Sequence, residues 1–262
     1  MRSTINTLLL LIPLLVAGPA YSETPEEKGL AIAVESDKRD TGWVDQVADL
    51  KMLLKNKQGE TSSRDLQVKT LEVEGDGDKS LTVFDSPKDI KGTAFLSFTH
   101  ALTPDDQWLY LPALKRVKRI SSANKSGPFV GSEFAYEDLT SQEVEKYTYK
   151  WLRDESLDGK DTFVVESYPA YKNSGYTRQI VWVDKAMYRP VKIEYYDRKN
   201  ALLKTLTSTG YQQYQDKYWR PASMLMVNHI TGKSTELTWD NYRFGTGLGV
   251  RDFDKNSLKR AR

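Results

Sequence analysis

His100 and His229 are the side chains best suited to move a proton near neutral pH, but neither has the neighbours that catalysis requires. Proton transfer needs a second positioned group and metal binding needs further ligands at fixed spacing, so both read as strand residues with hydrogen-bonded rings. Gly232-Lys233-Ser234 imitates the end of a phosphate loop, yet Val227 stands where the earlier glycine is required. Asp76-Gly77-Asp78 starts like a calcium loop that nothing completes, and reads as a turn. Asn124-Lys125-Ser126 matches a glycosylation sequon, a pattern short enough to arise by chance. The chain has no Gly-x-Ser-x-Gly elbow and no cysteine, which excludes thiol chemistry, thiolate metal sites, disulfides and lipid attachment at a cysteine. These residues predict a protein that is not an enzyme and uses no metal or cofactor.

Binding chemistry is better represented. Lys115, Arg116, Lys118 and Arg119 crowd around Val117 on a short strand. Such a run can blunt a sheet edge against unwanted pairing and can also contact phospholipid headgroups or an acidic surface on a membrane partner, and neither role excludes the other. The formal charge of +2 on a chain that is 28% charged gives no global field for nucleic acid, so no nucleic-acid partner is expected. Six tryptophans and fifteen tyrosines, many at alternating positions, supply large apolar surfaces.

The elements that must position these residues follow from periodicity. Arg2, the apolar run Leu8 to Ala17 and the small-x-small Ala20-Tyr21-Ser22 read as a signal peptide over residues 1–22, cleaved after Ser22, because the run is shorter than the roughly 20 residues that span a bilayer. Residues 23–262 are then expected to form a single exported domain. Thr24 as N-cap, Pro25 at the first position and Glu26 and Glu27 in the first turn predict a helix over Pro25 to Thr41. After Gly42 the period is two: Leu50, Met52, Leu54; Leu66, Val68; Leu81, Val83; then, beyond Tyr147, Ile180, Trp182; Val191, Ile193, Tyr195; Met224, Met226; Leu237, Trp239. Asp76-Gly77 and Asp158-Gly159 read as hairpin turns. About ten to thirteen strands with short connections predict a mainly β fold, one large curved antiparallel sheet. Ser121 to Leu139, with Phe129, Phe134, Tyr136 and Leu139, carries too much apolar surface for a solvated linker and should pack back onto the sheet.

The block Asp105-Asp106-Gln107-Trp108-Leu109-Tyr110-Leu111-Pro112, with Lys115 to Ile120 and Gly127 to Leu139, resembles the periplasmic outer-membrane lipoprotein-sorting (LolA-like) family, in the branch associated with exporters of the resistance-nodulation-division class. The likeness extends over Phe84-Asp85-Ser86-Pro87, Gly92 to Leu96, Trp182-Val183-Asp184, Tyr195-Tyr196-Asp197 and Thr231-Gly232. It implies an incomplete β-barrel whose apolar concave face, under a helical or loop lid, carries the acyl chain of a lipid or lipoprotein across the periplasm, to or from an inner-membrane exporter. Alternation offers Met52, Leu81, Val83, Phe95, Trp108, Tyr110, Trp182, Ile193, Met224, Met226 and Trp239 as lining, with the Pro25 to Thr41 helix and the Ser121 to Leu139 crossover as lid. The alternative is an adaptor that docks on the exporter and holds no ligand.

Overall fold

The computed structural model describes residues 22–260, so the leader expected up to Ser22 lies, but for Ser22 itself, outside the described residues. Helix α1 (Pro25–Arg39) begins as its residues dictate: Thr24 Oγ1 accepts the Glu27 amide, and the Glu27 carboxylate accepts the Thr24 amide in return. It ends at Arg39, two residues before the expected boundary at Thr41, and Gly42 just beyond takes a φ of 100° that a side chain would oppose.

The strands follow in chain order: β1 (Asp45–Lys55), β2 (Thr61–Leu71), β3 (Lys79–Ser86), β4 (Ala94–Phe98), β5 (Asp106–Leu111), β6 (Arg116–Ile120), β7 (Tyr147–Leu157) and β8 (Lys160–Pro169). Then come β9 (Tyr176–Asp184), β10 (Pro190–Asp197), β11 (Leu202–Thr209), β12 (Gln212–Tyr214), β13 (Tyr218–Arg220), β14 (Ser223–Asn228), β15 (Ser234–Phe244) and the short helix α2 (Lys255–Arg260). Thirteen strands form one sheet in the order β6-β5-β4-β3-β2-β1-β15-β14-β11-β10-β9-β8-β7, while β12 and β13 form a separate hairpin. Every ladder is antiparallel, and β6 and β7 remain edges, so the sheet curves without closing into a barrel. Asp158-Gly159 makes the expected tight turn, with φ of 50° and 79°. Asp76-Gly77 does not: it lies in the longer β2–β3 connection, where Asp76 accepts the Ala101 amide and the His100 ring.

Both faces of the β3–β5 region are buried. On the concave face Met52, Leu66, Phe84, Phe95, Leu109, Ile193, Leu206 and Met226 share one core. On the convex face Leu81, Val83, Ala94, Leu96 and Trp108 form a second core with Phe253 and Leu258 of the C-terminal segment. That segment is steered there by Asp45, which accepts the amides of Thr246 and Gly247. Helix α1 rests against β7, where Ile32 joins Val165 and Val183. A Cβ on Gly29 would lie 2.7 Å from the Trp151 backbone nitrogen, so only glycine permits this approach.

Candidate functional site

The crossover between β6 and β7 joins the two edges of the sheet, and the chain makes this journey across the concave face. Val130 and Gly131, with φ of 46° and 79°, turn it back on itself so that Pro128 bridges Ala135. Phe129, Phe134 and Tyr136 thereby become fully part of the concave core, at 1%, 2% and 9% exposure. The Phe129 ring lies 5.3 Å from Phe95 and 5.9 Å from Phe84, and Tyr136 lies 5.4 Å from Phe95. These spacings are those of attractive tilted aromatic pairs. Leu139 packs at the margin of the same core.

Side chains from strands spread along the sheet hold the crossover backbone. Arg64 Nη1 donates to Val130 O at 2.5 Å, Gln107 Nε2 to Tyr136 O at 3.1 Å, and Lys204 Nζ to Glu133 O at 3.0 Å. Thr235 Oγ1 accepts the Glu133 amide, and Asn228 Nδ2 donates to the Glu133 carboxylate. Lys204 also pairs with Asp138, whose carboxylate accepts the Tyr176 hydroxyl and the Ala135 amide. Glu137 is buried among the Ser174 and Tyr171 hydroxyls and the Gly175 amide, and burial pushes its carboxyl above the usual range against that amide's opposition. Sequence reasoning missed Arg64, Lys204 and Asp138, because each looks like an ordinary solvated strand or turn residue until the crossover covers it.

Of the residues proposed as lining, Met52, Phe95, Ile193 and Met226 sit in the concave core, with Met224 and Trp239 packed against it. Leu81, Val83, Trp108 and Tyr110 do not; they face the C-terminal segment on the convex side. Alternation puts Leu81 with Val83 and Trp108 with Tyr110, but both faces of these strands are apolar, so periodicity does not say which one is concave. Trp182 belongs to a further cluster with Val164, Met187 and Val191, under the Lys192 ammonium 4.2 Å from its ring. The basic run splits by register: Lys118 and Arg116 oppose Leu109 and Leu111 of the concave face, whereas Arg119 opposes Trp108 and pairs with Asp106. His100 Nδ1 lies 2.7 Å from Asp76 Oδ2 and His229 Nε2 lies 2.7 Å from Thr205 Oγ1, both just past strand ends rather than within strands. Among the described residues no group of three His, Asp or Glu side chains is placed to hold a metal ion.

Two clefts open on the crossover at one rim of the sheet. The larger, about 630 Å³, lies between the crossover at Gly131 to Glu133 and the β10–β11 and β14–β15 turns, with Tyr176, Leu203 and Lys204 in its wall. The smaller, about 310 Å³, reaches the same crossover residues from the β1–β2 turn beside Leu54 and Thr235.

This arrangement has close counterparts. A protein domain from Vibrio parahaemolyticus assigned to outer-membrane lipoprotein sorting is 63% identical to the chain, which covers 100% of it over 90% of its own length at a TM-score of 0.88. The chain belongs to the LolA-like lipoprotein-sorting family. A family profile described only as an uncharacterized protein matches residues 76–260. A DUF1329 family protein from Desulfovibrio piger is similar at 30% identity, with 90% of this chain and 99% of that one covered at a TM-score of 0.85. A LolA superfamily protein from Nitrosomonas europaea shares the fold at 20% identity and a TM-score of 0.71, over 87% and 98% of the two chains. No curated protein matches in sequence. The LolA-like fold thus accounts for the curved open sheet, and in this member the crossover fills its hollow.

Proposed function

We propose that this LolA-like chain is a periplasmic carrier, exported by a leader cleaved after Ser22, that holds one acyl chain of a lipid or lipoprotein against the concave face by displacing its crossover. The observation that carries this reading is the composition of the contact: aromatic rings fill an apolar trough, while the crossover backbone is tied by separable hydrogen bonds from Arg64, Gln107, Lys204 and Thr235. An acyl chain can replace rings in a trough of this kind, since each methylene it buries gains about 0.8 kcal/mol, roughly 8 kcal/mol for ten. The cost of expelling the rings is subtracted from that gain, which makes binding modest and reversible, as release to a membrane exporter of the resistance-nodulation-division class requires. The chain does no covalent chemistry in this role. Native mass spectrometry of the gently puried mature protein tests it: lipid released on activation supports the carrier.

The filled trough also favours a second reading, a ligand-free adaptor whose crossover is a permanent part of the core. A protein that purifies empty and leaves a fluorescent fatty-acid probe unbound is that adaptor.

A further inference from the structure

Because every ladder is antiparallel, the connections between strands fall alternately at the two rims of the sheet, and the two rims differ in charge. One rim holds the connections 56–60, 87–93, 112–115, 170–175, 198–201 and 229–233. They carry eight cations against two carboxylates, Glu60 and Asp89, a net of +6. The other rim holds 72–78, 99–105, 158–159, 185–189 and the 210–222 insertion, with seven carboxylates against four cations, a net of −3. The formal charge of +2 for the whole chain conceals this division.

The pairing of these charges differs as sharply. On the acidic rim Lys185, Arg189 and Arg220 are engaged by Asp154 and Asp40, and Lys217 donates to Thr41 O. On the basic rim every connection presents an exposed cation: Lys57; Lys88 and Lys91; Lys115. The remaining three present Lys172, Arg198 with Lys199, and Lys233, all exposed. Among the described residues none of these eight makes an ion pair, although the fold forms ion pairs elsewhere, and Arg198 alone is held by a backbone carbonyl, its Nε donating to Ser174 O. Two of the same connections raise an apolar side chain into solvent, Ile230 at 64% exposure and Leu114 at 68%. Leu102 on the opposite rim is exposed too, but it stands between His100 and Asp105 in a connection without a lysine or arginine.

We infer that the basic rim is a docking surface for an anionic phospholipid bilayer, with unpaired cations over the headgroups and Ile230 and Leu114 entering the interface. The bilayer is the occupant that fits, because the cations are distributed around a whole rim rather than gathered at one acidic epitope, and because isolated apolar tips among lysines suit the headgroup boundary. Docking in this orientation would turn both clefts, and the crossover residues beneath them, toward the membrane. The inference does not depend on cargo and stands even if the trough never opens.

Sedimentation of the mature protein with phosphatidylcholine vesicles, with and without phosphatidylglycerol, tests it. Each basic residue near an anionic surface is worth roughly a fivefold change in partition, so Lys57→Glu, Lys88→Glu and Lys115→Glu combined should weaken binding about 100-fold or more. These three residues line neither cleft, so the loss would not reflect cargo binding. A matched triple away from this rim, Lys51→Glu, Lys160→Glu and Arg243→Glu, changes net charge equally and should retain most of the binding. Salt near 1 M, where charges are screened beyond about 3 Å, should reduce partition to that of neutral vesicles. Absence of preference for phosphatidylglycerol, or equal loss in the two folded triples, overturns the assignment.

Discussion

Lys204 Nζ lies 2.6 Å from Asp138 Oδ2, with only 4% and 3% of the two side chains exposed, and this pair ties the crossover to β11 across 66 residues of sequence. Two charges removed from water cost several kcal/mol each, so the pair is a device of placement more than of net stability. Lys204→Met leaves the Asp138 carboxylate buried with only the Tyr176 hydroxyl and Ala135 amide to satisfy it. We expect a loss of about 3 kcal/mol in urea denaturation, and partial recovery on adding Asp138→Asn. An unchanged midpoint for the single variant would show that the carboxylate is solvated and the crossover loosely held.

Phe134 is 2% exposed and Phe129 1%, so truncation of either removes a ring from a packed core. Phe134→Ala should cost roughly 3 kcal/mol in stability. In the carrier the same change lowers the cost of expelling the crossover, so a fluorescent fatty-acid probe should bind more tightly to this variant than to the parent. Loss of stability without any gain in probe affinity favours the adaptor.

Trp108 and Met226 lie on opposite faces, and this separates two effects that strand alternation alone would merge. Met226→Glu places a charge in the concave core and should abolish probe binding in whatever fraction folds, whereas Lys192→Glu should leave it intact. Trp108→Glu should instead release the C-terminal segment from Phe253 onward, because the indole packs with that segment and lies 4.7 Å beneath the Lys255 ammonium. Limited proteolysis should cut the Trp108→Glu protein near residue 250 while its probe binding persists. Probe binding lost in Trp108→Glu but kept in Met226→Glu would reverse the assignment of faces.

The sequence announced the strands because their side chains alternate, and α1 because Thr24 caps it and Pro25, Glu26 and Glu27 suit its first turn. It announced the crossover because Phe129, Phe134 and Tyr136 are misplaced in a solvated loop. It did not announce which face of β3 and β5 is concave, since Leu81 and Phe84 are equally apolar and the choice depends on what covers each. Nor did it announce that Phe253 and Leu258 cover the convex face, for they sit beyond a glycine-rich stretch with no period to read. The polar anchors were illegible for the same reason: Arg64 and Lys204 acquire their partners from residues 66 positions away.

Asp78 connects the crossover to pH. It is half-buried in the connection just before β3, where its amide donates to Ser141 Oγ and its carbonyl accepts the Thr99 amide. Burial first, and the nearby Glu143 second, push its carboxyl up to about 7; Glu72 and Asp40 push weakly the same way, and only the Val73 amide opposes them. An unfolded aspartate titrates near 3.9, so between about pH 4 and 7 the folded chain keeps a proton that the unfolded chain has lost. The stabilisation is therefore complete below about pH 4 and disappears as pH rises through 7. Asp76 acts in a different window: the His100 ring first, then the Ala101 amide, hold its carboxyl at about 2, so its contribution is lost only as pH falls toward that value. Asp78→Asn keeps an acceptor for the Val73 amide but cannot ionise. It should raise stability by roughly 2 kcal/mol at pH 8 and leave it nearly unchanged at pH 4, flattening the profile between. Urea midpoints across that range measure the effect, and an equal shift at both ends would mean that Asp78 is ionised throughout and that the crossover's attachment at Ser141 is indifferent to pH.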